Sequence, residues 1–362
     1  MSNRPMVIFR ADGNRDIGSG HIMRCASIAI ALASLGARAI FAVSDDASAS
    51  MARAQGLDAR VLGGEARCLG ADDAARLADL ARAEGATAIL VDTYAATDAF
   101  FSALRTALAP RPAPPRLAPP RICLIDDAFT FADGATICPV VRDVDVVVNY
   151  SLGFSVRDYA ALIETGGTAL VGPSFAPLRP EFASAGFEVG DEVRRVLVTS
   201  GSTNPARVLE KTAQTVLRIL PDAHLDVVVG MNATFDDDAC RTSRVTLHDN
   251  PSRMASLMSA ADLAVSAAGT TVYELIAVGT PSIVFPLVDN QRHNAREFAQ
   301  AGLGMALRGP DDLGEPLACA LRSLACGEAG HRRRAAFSDA MREVADGGTG
   351  ALRVARVLAG GE

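Results

Sequence analysis

The stretch Leu263-Ala264-Val265-Ser266-Ala267-Ala268-Gly269-Thr270-Thr271-Val272-Tyr273-Glu274 runs from an apolar strand, through a turn of small and hydroxyl-bearing residues, into a helix that Gly279 ends. A helix start presents backbone amides that no intrahelical carbonyl accepts, together with the positive end of the helix dipole, so a turn of this kind suits a phosphate. One turn further on, Glu274 offers a carboxylate to the two hydroxyls of a ribose. A second reading of the same residues stands beside the first. Thr271-x-x-Glu274 has the form of a capping box, in which the two side chains satisfy backbone amides reciprocally. The lack of bulk from Ser266 to Gly269 favours the phosphate, because close approach of a ligand to the backbone needs it and a cap does not. The stretch therefore reads as a strand-turn-helix site for a nucleoside diphosphate.

On either side of it, short β-branched runs alternate with Ala/Leu-rich helical stretches, the pattern of parallel sheets covered by helices. The first half predicts strands at Met6 to Arg10, Ala39 to Val43, Ala88 to Asp92, Arg121 to Ile125 and Val144 to Asn149, with an edge strand at Ala169 to Val171. The second half restarts with Val196 to Thr199, Leu225 to Val229, Val245 to His248, Leu263 to Val265 and Ser282 to Leu287. The expected fold class is α/β: two Rossmann-like, doubly wound parallel-sheet domains facing a cleft, the first over 1–180 and the second, nucleotide-binding, over 190–345. The stretch Gly172 to Val193 lacks strand periodicity and marks the break. The last helix, Gly350 to Leu358 within 346–362, is expected to pack back across the junction. Pro110 to Pro120 reads as a stiff surface insertion.

A chain of 362 residues exceeds the size at which one core usually splits, which agrees with two domains. Hydrophobic content of 49% beside 21% charged residues is that of a soluble globular enzyme. The net charge of −7 would repel a polyanion, and no Lys/Arg-rich run offsets it, so nucleic acid is excluded as a partner. The seven cysteines are scattered without a Cys-x-x-Cys pair, and the five histidines lack metal spacing. No N-terminal signal peptide is expected ahead of the first strand, and the apolar stretch from Ser27 to Val43 is broken by Gly36 and Arg38. These features lead to the expectation of a cytoplasmic protein with no metal, no cofactor, no membrane and no required protein partner.

In doubly wound sheets ligands bind beyond the carboxyl ends of the strands, and the polar candidates cluster there. Asp12 and the turn Gly18-Ser19-Gly20-His21 follow the first strand; Asp92-Thr93-Tyr94 and Asp126-Asp127 follow the third and fourth. Gly201-Ser202-Thr203, Ser266 to Thr271 and Asp289-Asn290-Gln291 do so in the second half. His21 sits where the glycine turn becomes a helix, and the dipole there disfavours an imidazolium, leaving a ring able to accept a proton. A His that merely fills the first turn is the other reading. Tyr94 reads equally as a core aromatic, Asp126-Asp127 as loop or capping carboxylates, and Asn290 as a helix N-cap. Asn250-Pro251 is an ordinary N-cap with proline at the first helical position, and His248 has no evident role.

The motifs Arg10-Ala11-Asp12, Gly18-Ser19-Gly20-His21-Ile22-Met23-Arg24-Cys25, Gly172 with Phe175-Ala176-Pro177-Leu178-Arg179-Pro180-Glu181-Phe182, Ala267 to Glu274, Gly279-x-Pro281 and Asn290-Gln291 occur in order. Over roughly Met6 to Leu307 the chain resembles the UDP-2,4-diacetamido-2,4,6-trideoxy-β-L-altropyranose hydrolases of pseudaminic acid biosynthesis, relatives of the MurG-type glycosyltransferases with a GT-B fold. The resemblance implies that His21 is the base or positioner of an attacking water, with Tyr94 and Asn290 contacting the sugar in the cleft. It implies UDP near Gly201, Ser202, Thr203, Ser266, Gly269, Thr270, Thr271 and Glu274; Asp12, Gly18, Gly20 and Gln291 complete the candidate substrate contacts. The implied reaction is metal-free, inverting water attack at the anomeric carbon that releases UDP. Asp92-Thr93-Tyr94-Ala95, Thr199-Ser200-Gly201-Ser202-Thr203 and the Pro-rich insertion depart from the family pattern. Two other readings remain: glycosyl transfer from a UDP-sugar to an acceptor, and a non-catalytic nucleotide-sugar-binding protein.

Overall fold

The computed structural model describes residues 4–14, 17–109, 118–126, 143–240 and 242–361. Most of the Pro-rich segment, together with Asp127 and Cys138, lies outside them. The chain forms two compact units, the first made of Met1–Pro180 with Thr349–Glu362 and the second of Glu181–Gly348.

In the first unit the strands are β1 (Met6–Ala11), β2 (Arg38–Val43), β3 (Asp58–Val61), β4 (Ala88–Asp92), β5 (Arg121–Ile125), β6 (Val146–Asn149) and β7 (Thr168–Val171). They pair in the order β3-β2-β1-β4-β5-β6-β7, all parallel. Helices α1 (Gly20–Ser34), α2 (Asp46–Ala54), α3 (Ala71–Glu84), α4 (Asp98–Leu108) and α5 (Ala160–Glu164) make the crossovers. Every residue of β1 is buried, as expected of a central parallel strand covered on both faces. Alternation along the strand sends Ile8 and Ile40 into one core with Leu77 of α3 and Leu104 of α4. Phe9 and Phe41 point the other way and stack with ring centroids 5.1 Å apart. Local chemistry sets the helix ends: Asp45 and Thr97 accept amide hydrogens from Ser48 and Phe100 at two starts, and Gly85, with φ of 64°, stops α3.

The second unit contains β8 (Arg195–Thr199), β9 (His224–Val229), β10 (Val245–Asp249), β11 (Leu263–Ala267), β12 (Ser282–Phe285) and β13 (Met305–Ala306). Their order is β10-β9-β8-β11-β12-β13, again parallel. The helices are α6 (Val208–Ile219), α7 (Met254–Ala260), α8 (Thr271–Val278), α9 (Gln291–Gln300), α10 (Glu315–Ala325) and α11 (Gly327–Ala345). Val196, Val198, Leu225 and Val265 from the sheet pack with Val216 of α6 and Leu317 and Leu321 of α10. Each such fully buried aliphatic side chain contributes roughly 1.5–3 kcal/mol relative to exposure.

The last helix, α12 (Gly350–Leu358), belongs to the first unit. It packs on α1 and on the Pro173–Phe175 turn. Gly350 is required there, because a Cβ would stand 2.2 Å from the carbonyl oxygen of Ala176. No helix among the described residues is long and apolar enough to cross a membrane.

Candidate functional site

In each sheet the strand order reverses beside the strand that opens the unit, between β1 and β4 in the first and between β8 and β11 in the second. In folds of this kind that crevice is where ligands bind. The candidate residues surround these two points, and each point has its own chemistry.

In the first unit Ala11 and Asp92 are register partners at the carboxyl ends of β1 and β4. His21, the second residue of α1, is 4% exposed, and its Nδ1 lies 2.7 Å from Asp92 Oδ1. Arg24, one turn further along α1, donates from Nε to Asp92 Oδ2 at 2.5 Å and from a terminal nitrogen to Oδ1. Its other terminal nitrogen donates to the Tyr150 hydroxyl at 2.7 Å. Burial of Asp92 opposes its charge, but the Arg24 and His21 charges and hydrogen bonds prevail and hold the carboxyl well below the usual carboxylate range. A fixed carboxylate can only accept, so the imidazole proton belongs on Nδ1 and the lone pair on Nε2 is left to take a proton. Tyr94 is 53% exposed, and its ring meets His21 edge-on with centroids 4.4 Å apart. It is not a core aromatic.

Asp12 is 1% exposed and committed inward: Arg10 donates to its Oδ2 at 2.6 Å, and Ser44 donates to it from both amide and hydroxyl. Gly18 adopts φ of 83° in a turn closed by its amide on the Asn14 carbonyl at 2.8 Å. At Gly20 no protein atom lies within 4 Å of where a Cβ would stand, so packing does not demand a glycine there. Asp126 accepts from the Tyr159 hydroxyl at 2.6 Å, and Asn149 donates to that hydroxyl at 2.8 Å, a buried network that ties β5 and β6 to the following loop.

In the second unit Thr199 and Ser266 are register partners on β8 and β11. Gly201 has φ of 78°, and its amide donates to Thr199 Oγ1 at 3.3 Å, while Ser202 and Thr203 are exposed. The turn rests on Gly230, where a Cβ would lie 2.0 Å from the Gly201 carbonyl oxygen. Ala206 and Arg207 follow with φ of 52° and 59°. Non-glycine residues held in this region cost about 1–3 kcal/mol each and cluster where function constrains the backbone.

Helix α8 begins at Thr271, with Thr270 at the cap position making no side-chain capping bond. The capping box that Thr271 and Glu274 suggest is therefore not formed, because Thr271 is already inside the helix. Val272 and Tyr273 donate back to the carbonyls of Gly269 and Thr270 at 3.1 and 3.0 Å, and the amides of Gly269, Thr270 and Thr271 have no intrahelical acceptor. Thr270 is exposed; Gly269, Thr271 and Glu274 are half-buried. Ser266 is fully buried and its hydroxyl donates to the Ala267 carbonyl at 2.9 Å, so it shapes the turn from within. Gln291 accepts from the Leu287 amide at 2.9 Å, and its Nε2 lies 3.4 Å from where a Cβ on Gly269 would stand. Asn290 is exposed at the start of α9 and makes no side-chain capping bond.

The structure thus joins His21 with Tyr94, and Gly269 with Gln291. It also shows pairings that local sequence did not indicate. Asp92 and Arg24 complete the His21 cluster, and Asn294 links α9 to the α8 turn by accepting from the Tyr273 hydroxyl at 3.1 Å and donating to the Ala268 carbonyl at 3.3 Å. Among the described residues no group of three or more His, Cys, Asp or Glu side chains is arranged to hold a metal ion.

Acinetobacter baumannii MurG superposes with a TM-score of 0.63 at 14% identity, over 98% of this chain and 99% of that one. The chain has the GT-B fold. Residues 195–344 match the glycosyltransferase family 28 C-terminal domain. Curated relatives include the Bacillus subtilis spore coat polysaccharide biosynthesis protein SpsG, 28% identical over 38% of this chain and 42% of that protein. The Helicobacter pylori pseudaminic acid cytidylyltransferase and UDP-2,4-diacetamido-2,4,6-trideoxy-β-L-altropyranose hydrolase is 28% identical over 32% of this chain and 21% of its own. The Alkalilimnicola ehrlichii UDP-N-acetylglucosamine–N-acetylmuramyl-(pentapeptide) pyrophosphoryl-undecaprenol N-acetylglucosamine transferase is 35% identical over 37% and 40%. Each match spans less than half of the relative's length. These likenesses make this a GT-B protein related to nucleotide-sugar enzymes.

Proposed function

We propose that the chain is a UDP-sugar hydrolase that removes UDP from a diacetamido-trideoxy sugar by water attack at the anomeric carbon. The observation that carries this reading is the His21–Asp92–Arg24 cluster at the carboxyl ends of β1 and β4. A buried carboxylate that fixes the Nδ1–H tautomer leaves Nε2 as a general base for water, the arrangement that hydrolysis needs. In the second unit the exposed Ser202, Thr203 and Thr270, with Gly201, Gly269 and Thr271 beside them, hold the diphosphate, Glu274 the ribose, and departing UDP is stabilised by the start of α8. Asn290 and Tyr94 contact the sugar. The similarity to the Helicobacter pylori protein supports the diacetamido sugar and a place in pseudaminic acid biosynthesis.

Glycosyl transfer is the second reading, favoured by the family 28 match and the likeness to MurG. It uses the same base to activate an acceptor hydroxyl instead of water. Incubation of the purified chain with UDP-2,4-diacetamido-2,4,6-trideoxy-β-L-altropyranose and a panel of other UDP-amino sugars decides between them. Hydrolysis releases UDP and free sugar with water as the only acceptor, whereas UDP release that requires an added acceptor overturns it.

A further inference from the structure

Arg24 is more than a partner of Asp92. Its guanidinium reaches both carboxylate oxygens and the Tyr150 hydroxyl, and a terminal nitrogen stands 2.9 Å from His21 Nδ1. Two donors meet at that last contact, because the Nδ1 proton is directed to Asp92 and guanidinium nitrogens cannot accept. The contact is therefore a cation held against an imidazole, in a site where His21, Arg24 and Asp92 are all buried. A neighbouring cation opposes a second proton on the ring, while a neighbouring carboxylate favours it.

We propose that Arg24 is a positioning residue that takes up the charge of Asp92 and so keeps His21 in its proton-accepting form, with Tyr150 fixing the guanidinium. The inference rests on the reading of His21 as the general base. The groups that face His21 are Arg24 from α1, Asp92 from the end of β4, and Tyr94 from the loop after it; Cys25 of α1 touches Asp92, and Tyr150, after β6, acts through Arg24. The Cys25 thiol donates to Asp92 at 3.4 Å, and its burial keeps it uncharged. Asp92 is thus the anion on the imidazole and Arg24 the cation that balances it, in the same sense as the positive end of α1. Without Arg24, the full carboxylate charge falls on His21 and favours a second proton on the ring, which opposes acceptance of one from water. Lysine restores the charge but not the fork that reaches both oxygens and Tyr150 together.

The test measures kcat and KM against pH for UDP release from UDP-2,4-diacetamido-2,4,6-trideoxy-β-L-altropyranose by the full chain and by Arg24→Gln, Arg24→Lys and Tyr150→Phe. In Arg24→Gln the acid limb of kcat moves to higher pH by about one unit or more, with up to about a 10-fold loss of turnover below it. KM stays unchanged, and Arg24→Lys returns the limb towards its original position. A readout free of turnover accompanies it: side-chain ¹⁵N–¹H spectra of histidine-labelled protein, with His21 identified by its loss in His21→Gln. The wild-type ring shows one proton, on Nδ1, at pH 7, whereas Arg24→Gln shows two. Tyr150→Phe removes only a hydroxyl, and shifts both readouts in the same direction by less; it carries the test if Arg24→Gln does not fold. An acid limb and His21 protonation that stay unchanged in these variants overturn the inference. Full turnover in His21→Gln overturns instead the base on which it rests.

Discussion

Asp92 Oδ1 lies 2.7 Å from His21 Nδ1, joining the last residue of β4 to the second residue of α1 across 71 positions of sequence. The pairing fixes which ring nitrogen carries the proton. Asp92→Asn offers an amide that can turn its NH₂ toward Nδ1, which reverses the tautomer and blocks Nε2 with a hydrogen. Turnover should fall by about 10²–10⁴-fold with UDP affinity unchanged. Measurement of kcat beside UDP binding by calorimetry checks this, and a variant with wild-type kcat would show that the carboxylate does not orient the ring.

His21→Ala removes the proposed base itself. The expected loss of turnover is about 10²–10⁴-fold, again with UDP affinity near that of the wild type. Full activity in the variant would remove His21 from the mechanism.

Glu274 sits one turn into α8, and the capping box that would give it a purely structural duty is not formed. Glu274→Gln keeps the shape and removes the charged acceptor, whose hydrogen bonds to a ribose are worth about 1.5–3 kcal/mol, so UDP affinity should fall by about 10-fold or more. The melting temperature should hardly move. Early melting with normal UDP binding would return the residue to the fold.

Reaction in oxygen-18 water distinguishes attack at carbon from attack at phosphorus. Label should appear in the released sugar, with inversion at the anomeric carbon, and UDP should carry none. Because anomeric exchange scrambles the sugar label with time, the nucleotide decides. Label in its phosphate, or release of UMP with a sugar phosphate, would mean phosphoryl attack.

Asp226 on β9 gives an acid-stability prediction. It accepts from Arg195 and lies 2.7 Å from His248 Nε2; burial opposes its charge, but these partners prevail and lower its pKa. A carboxylate whose folded pKa lies below its unfolded value stabilises the fold above that unfolded value and loses the contribution as pH falls through the folded one, from about pH 5 downward. Asp226→Asn should therefore lower the unfolding midpoint in urea at pH 7 and flatten its decline between pH 5 and pH 3. An unchanged decline would show that other carboxylates set it.

Most of the sheet was legible in the sequence because central parallel strands are continuous apolar runs, as in Ala-Ile-Leu-Val of 88–91 and Val-Leu-Val of 196–198. Strand β3 was not, since only Ala59 of its four residues is buried and no period-2 pattern survives. β13 is two residues long and leaves no pattern at all. The same distinction runs through the candidate site. His21 and the α8 turn announce themselves by glycine, hydroxyl and helix-start chemistry within a few residues. The ion pair of Arg24 with Asp92 spans 68 positions, and nothing near either residue names the other. The local signal was an arginine on the buried face of α1, three residues after His21, where an unpaired charge would be costly.

The return of α12 to α1 has a consequence for how the protein is made. The helix that carries His21 buries part of its surface against α12, which is synthesised only after the whole of the second unit has been translated. Chains generally fold domain by domain as they emerge from the ribosome, but here the first unit cannot finish ahead of the second. Until α12 leaves the exit tunnel, α1 presents to solvent a face that α12 later covers. Ribosome-stalled chains ending near Ala345 should therefore leave that face open to chaperones and proteases, however completely the second unit has already formed.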